Sequence, residues 1–310
     1  MPTRSLRLAA ALWCCLLPAG AREDAAACGT HAATAPEAAA LHRHARAARP
    51  EASPLARSGP REAARDIGEI AVIEDNGDIA APPHRFDLAF STVIFAPAAA
   101  GAASYRFETG AASYDAEAAQ AGALVRGLAD DDSAELALPF SFPFFGASYV
   151  GGFVNSDGNL TFGEADGSSS TRSLGRMSAG PPRVAPFFRD LDPSRPAAEV
   201  RVLASAERVV VSWVSVPEYA AAGVGSRSTF QVRLFPSGRI EFAYADAGSA
   251  SAVVGISPGR LQGAVSVVSF RAAGGGEYSG TLAERFTSSP EIDIYAAAAR
   301  FYRTHEDAYD

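Results

Sequence analysis

The stretch TFQVRLFPSGRIEFAY, from Thr229 to Tyr244, decides the fold class. Phe230, Val232 and Leu234 alternate with Gln231 and Arg233, Pro236-Ser237-Gly238 turns the chain, and Ile240, Phe242 and Tyr244 then alternate with Glu241 and Ala243. Successive side chains of a strand point to opposite faces, so two period-two runs joined by a turn read as an antiparallel hairpin with one buried and one wet face.

Working outward, Arg208 to Val216 is a β-branched run that holds Trp213. Phe153 to Ser156 and Asn159 to Phe162 flank Asp157-Gly158, a dipeptide that accepts the positive φ of a tight hairpin turn. In ELALPFSFPFFG, from Glu135 to Gly146, Leu138, Phe140, Phe142 and Phe144 fall at period two on a core-facing side. Pro139 and Pro143 have no amide hydrogen for a ladder, so this strand is expected at a sheet edge or bulged. Ala252 to Ser257 and Ala264 to Phe270 add two more strands. Many short strands without helical periodicity predict a mostly β chain, a two-sheet antiparallel β-sandwich over residues 119–286. Residues 67–118 read as a short β lead-in, with Ile70 and Val72, the Asn76-Gly77 turn and strands near 92–95 and 104–107.

The N-terminus speaks to compartment. Arg4 and Arg7 precede an apolar run, Leu8 to Leu17, too short to span a bilayer, and Ala19-Gly20-Ala21 supplies the small residues that signal peptidase accepts. Residues 1–21 therefore read as a signal peptide cleaved after Ala21, and the protein as secreted. Residues 22–66 are rich in Ala, Arg and Pro with few large apolar side chains, the composition of a disordered linker or pro-segment. Of the three cysteines only Cys28 remains after cleavage, so no intramolecular disulfide framework is possible. His42 and His44 in this tract read as solvated side chains.

All 27 basic residues are Arg; against 35 acidic ones the net charge is -8, which excludes nucleic acid as a natural partner. No later stretch is long and apolar enough to predict a membrane span.

The ordered set Asp130-Asp131-Asp132-Ser133, LPFSFPFFG, VNSDGNLTFG (Val154 to Gly163), VAPFFRDLDP (Val184 to Pro193), VVVSWVSVPEY (Val209 to Tyr219), the hairpin above and VVGISPG (Val253 to Gly259) resembles the β-sandwich accessory module of secreted bacterial proteases and surface proteins, distantly similar to nidogen-like domains. The resemblance implies an extracellular module for adhesion or scaffolding. Its partners would be the other domains of its parent protein, or an extracellular protein or glycan.

The histidines are His31, His42, His44, His84 and His305, none inside residues 119–286, so that domain alone cannot build a Ser-His-Asp triad or a His-ligated zinc centre. No GxSxG, P-loop or HExxH motif occurs, and His305-Glu306-Asp307-Ala308-Tyr309 puts Tyr where a zincin helix needs its second His. No catalytic residue and no enzymatic activity of this chain are expected. The remaining candidates are carboxylates: Asp130, Asp131 and Asp132 with Asp190 and Asp192 are the expected metal ligands, for calcium as the one possible cofactor. The alternative for such residues is to start turns, cap amides and pair with Arg189 or Arg195. A glycosidase pair of Asp190 or Asp192 with Glu218, and a sugar-stacking platform of Trp213, Tyr219 and Tyr244, are further readings, the aromatics being otherwise core.

Residues 287–310 read as a helix: Ser289 as cap, Pro290 first, Glu291 and Asp293 at the positive end of the dipole. Ile294, Ala298, Phe301 and Tyr302 form its apolar stripe. The segment Glu291 to Asp310 resembles the opening of the domain that follows this module in secreted metallopeptidase-like proteins. It implies that the parent protein is a metallopeptidase whose catalytic part lies beyond Asp310.

Overall fold

The computed structural model describes residues 75–298 apart from 76, 273 and 295. The expected signal peptide, the 22–66 tract with Cys28, His42 and His44, and Phe301, Tyr302 and His305 lie outside the described residues.

Two seven-stranded sheets pack as a sandwich. The first runs β3 (Tyr105–Ala111), β2 (Ser91–Pro97), β12 (Ile240–Ala247), β11 (Arg227–Leu234), β10 (Val209–Pro217), β9 (Glu199–Ala204), β4 (Ala123–Leu124). The second runs β14 (Val265–Val267), β15 (Thr281–Phe286), β13 (Ala252–Ser257), β8 (Arg183–Phe188), β7 (Asn159–Thr161), β6 (Ala147–Asn155), β5 (Ser133–Phe144). The expected hairpin is β11–β12, with Phe230 opposite Tyr244 and Val232 opposite Phe242. Strands β2 and β3, from the lead-in segment, belong to the same sheet: Val93 lies opposite Phe242, and Val93, Phe95, Tyr105 and Phe107 are buried in the common core.

The core is largely aromatic. Phe230 of the first sheet stacks on Trp213 at 5.1 Å between ring centroids and meets Phe187 of the second sheet, also at 5.1 Å. Phe142, Phe144 and Phe162 pack at 5.4–6.0 Å at the other end. Offset and edge contacts of this kind add attraction beyond area burial. Strand β5 is an edge strand and its register slips between Ala137 and Phe142; Pro139 falls in the slip, and Pro143, opposite Ser148, sits on the sheet edge, where a missing amide hydrogen is tolerated. The alternation runs through the slip, with Leu136, Leu138, Phe142 and Phe144 buried, and Phe140, expected in the core, is partly buried against it.

Three other expectations are corrected. The second face of the β11–β12 hairpin is covered, not wet: Gln231, Arg233, Glu241 and Ala243 are buried. Ser113 to Asp115, which lead into helix α1 (Ala116–Ala121), supply the cover. Gln231 Nε2 donates to Asp115 O at 2.7 Å and to Ser212 Oγ at 3.0 Å, Arg233 Nη1 donates to Ser113 O at 3.0 Å, and Arg233 Nε pairs with Glu241 at 2.9 Å. A covered polar face keeps its polar residues because each finds a partner, so the residue pattern does not reveal the cover. The outer face of the second sheet is likewise closed, with Leu174 and Met177 of helix α2 (Leu174–Ala179) on Ala185, Phe188, Val253 and Ala283. Second, β14 is short and pairs with β15 in parallel, an exception to the antiparallel rule of the rest.

Third, no helix starts at Ser289-Pro290. Glu291–Ile292 forms β16 and pairs antiparallel with β1 (Ala80–Ala81). Asp293 is the cap instead: its Oδ1 accepts from Ala296 N at 2.8 Å and its carbonyl from Ala297 N at 3.0 Å. Buried Arg285 Nη1 reaches back to the carbonyls of Asp78 and Ile79 at 3.1 and 3.2 Å. Pairing with β1 gives the Glu291–Ile292 backbone partners that an isolated first helical turn would leave to water, and so moves the helix start along the chain.

Candidate functional site

The site is built around the β6–β7 turn. Gly158 has φ +66, and a Cβ there would lie 2.3 Å from the Phe187 carbonyl oxygen, so glycine is required. The turn places buried Asp157 beside the segment that enters β5 and the one that leaves β8. Into this corner comes the side chain of Arg172, just ahead of α2 and almost fully buried. Its Nε donates to Asp157 Oδ2 at 2.7 Å and its Nη2 to Asp157 Oδ1 at 2.9 Å; Nη2 also pairs with Asp190 at 3.0 Å and with Asp131. Nη1 donates to the carbonyls of Ser169 and Ser170 at 3.1 and 3.3 Å. Arginine's rigid fork suits this bidentate geometry as lysine's point charge does not.

Of the five carboxylates expected to hold a metal, Asp130, Asp131 and Asp190 each bring an oxygen within 4.8 Å of the other two. Asp132 instead accepts from the amides of Ala129 and Ser133, at 3.2 and 2.8 Å. Asp192 accepts from Ser194 N at 3.0 Å and pairs with Arg195 at 2.5 Å. Burial and then the charges of Asp131, Asp190 and Asp192 push the Asp130 carboxyl up to about 7. Burial pushes Asp157 up to about 6 against the pull of Arg172, so it is still ionised at neutral pH.

A second buried charge group lies under α2. Asp166 pairs with Arg176 at 2.6 Å and with Arg183, and both guanidinium groups lie over the Phe188 ring, at 5.2 and 4.4 Å from its centroid. Although burial opposes it, the two arginines hold the Asp166 carboxyl well below the usual carboxylate range. Sequence reasoning missed Asp157, Asp166, Arg172, Arg176 and Arg183. The clustered acids do demand a counter-charge, yet its source lies 15 residues from Asp157 and 41 from Asp131, a spacing set by topology and not by any local period.

Trp213 and Tyr244 are fully buried and form no sugar platform; the Tyr244 hydroxyl donates to Pro186 O at 2.7 Å. Glu218 is paired with Arg189 at 3.1 Å. His84, outside the sandwich in sequence, contacts it in space: Nε2 lies 2.9 Å from Glu284 Oε1 and the ring stacks on Phe286 at 5.0 Å.

These shifts fix a pH profile. Between about pH 4 and 7 the folded state holds a proton on Asp130 that the unfolded chain, with its carboxyl near 3.8, has released. Stability therefore falls as pH rises through that window, and Asp157 adds to the same slope up to about 6. Asp166 acts oppositely: its contribution is complete above about pH 4 and is lost on acidification below it. With chelator present, the melting temperature should fall from pH 5 to 8, and Asp130→Asn should flatten that fall. A variant that keeps the parent's slope would remove Asp130 from this account.

The fold and site define a β-sandwich module whose buried acids converge on its own arginines. The NIDO-related family matches residues 104–293, more than half of the chain, and the chain belongs to that family. The match bears out the nidogen-like part of the resemblance, and it marks the chain, in general terms, as an extracellular accessory module. No curated protein and no solved structure matches the chain. Among the described residues no helix is long and apolar enough to cross a membrane.

Proposed function

We propose that the chain is a non-catalytic adhesion or scaffolding module of a secreted, multidomain bacterial protein, and that this parent is a protease, in particular a metallopeptidase. The observation that carries the reading is the pairing of β1 with β16. The described chain enters and leaves at one place, tied by Arg285, which is the construction of a unit carried within a longer polypeptide. The charged groups support it: Arg172 contacts Asp131, Asp157 and Asp190, an arrangement that ties together the loops entering β5, joining β6 to β7 and leaving β8. The purified chain should hydrolyse neither casein, peptides nor glycans with zinc or calcium supplied; reproducible metal-dependent proteolysis would overturn the proposal.

One observation favours a second reading, a calcium-binding module. Asp130 Oδ1 is buried without a hydrogen-bond partner and faces Asp131 and Asp190, leaving negative charge that Arg172 alone does not balance. A hard divalent ion held there would raise the melting temperature by mass action. Millimolar calcium should then stabilise the parent over a chelator control and leave Asp130→Asn unmoved; coincident parent curves would dismiss calcium.

A further inference from the structure

The second sheet has another end. There β5 stops, β6 starts, β7 stops, β8 starts and β13 stops, five neighbouring strands in the sheet order. Their ends enclose an open cavity of about 260 Å³, floored by Phe144 and Phe162 and walled by Phe145 and Tyr149. Tyr149 is half-buried and stacks on Phe162 at 4.7 Å and 26°, which fixes its ring. The Tyr149 hydroxyl and the Gln262 side-chain amide have no hydrogen-bond partner among the described residues. The one charge on the rim, Arg260, is balanced by Glu164, whose Oε1 accepts from its Nη2 at 2.8 Å.

From this geometry we infer that the cavity binds a single neutral hexopyranose unit of a glycan. The cavity is below the roughly 300–1,000 Å³ of sites for drug-sized ligands, so it has room for about one ring. The aromatic walls suit the C–H face of a pyranose, and the free hydroxyl and amide offer donors and acceptors to its ring hydroxyls. With Arg260 already paired, nothing in the rim favours an anionic ligand. A polyproline segment would also stack here, against Pro182 and Pro258, but it has no N–H or O–H to donate to the Gln262 carbonyl, whereas a sugar hydroxyl donates and accepts. The proposal goes beyond the accessory reading by naming a surface and its ligand class, and its failure would leave the hydrolysis result untouched.

Titration of the full chain, by calorimetry, with methyl glycosides of glucose, galactose, mannose and N-acetylglucosamine and with a polyproline decapeptide tests it. Saturable binding of at least one glycoside is expected, weakened about tenfold or more in Tyr149→Ala and in Gln262→Ala, with unchanged Trp213 fluorescence. Gln262 lies on an exposed loop, so that variant keeps the test sharp should Tyr149→Ala fail to fold. Absence of glycoside binding, binding that both variants leave intact, or binding of polyproline alone would each overturn the proposal.

Discussion

Replacing Arg172 with Met should cost the fold about 3–5 kcal/mol, because the change leaves Asp157 and Asp190 buried without their counter-charge. The length and apolar stem of the side chain are kept, so the loss reports the missing guanidinium and not a cavity. The expected pH dependence follows from the same charges. Without Arg172 the carboxyl groups rise further, fold while protonated, and become costly once ionised, so the destabilisation should be larger at pH 8 than at pH 5. Adding Asp157→Asn to the Met variant should recover part of the loss, since a neutral amide in place of the carboxylate removes the unpaired charge. Urea unfolding of the single and double variants measures all three; equal stability of parent and Arg172→Met at pH 8 would mean that the guanidinium is not what holds these loops.

Phe230→Ala is the second large effect. This ring touches Trp213 within its own sheet and Phe187 across the sandwich, and the Gly158 backbone packs against it, so the hole cannot close without moving a β-turn. Such truncations cost about 3–5 kcal/mol, which for a domain of this size lowers the melting temperature by on the order of 10 °C. The loss of the stacked ring should also change Trp213 emission before any unfolding. A variant that melts within a degree or two of the parent would place Phe230 outside the core.

How far the sequence foretold these points depends on which physical signal each one leaves. The β11–β12 hairpin, the edge position of β5 and the Asp157-Gly158 turn were legible because alternation, proline and a glycine turn act on neighbouring residues. The cover over Gln231 and Arg233 was not, since a polar residue satisfied by Ser113 and Asp115 looks the same in sequence as one satisfied by water. Glu291–Ile292 carries good helix-start chemistry, yet pairs with a strand more than two hundred residues earlier; tertiary pairing overrode local preference. The acidic corner was half legible. Asp130, Asp131 and Asp190 do converge, while the arginine that organises them came from a Ser-rich loop with no periodicity to mark it.

The β1–β16 pairing and Arg285 tie the two ends of residues 75–298 to each other. Residues 75–298 contain one tryptophan, Trp213, at the heart of the core, so its fluorescence and the far-ultraviolet circular dichroism of the strands report packing and backbone independently. Equilibrium urea unfolding of that fragment should give one cooperative transition, coincident by the two probes and at the midpoint of the full chain. An unfolded fragment, or two separated transitions, would contradict the account.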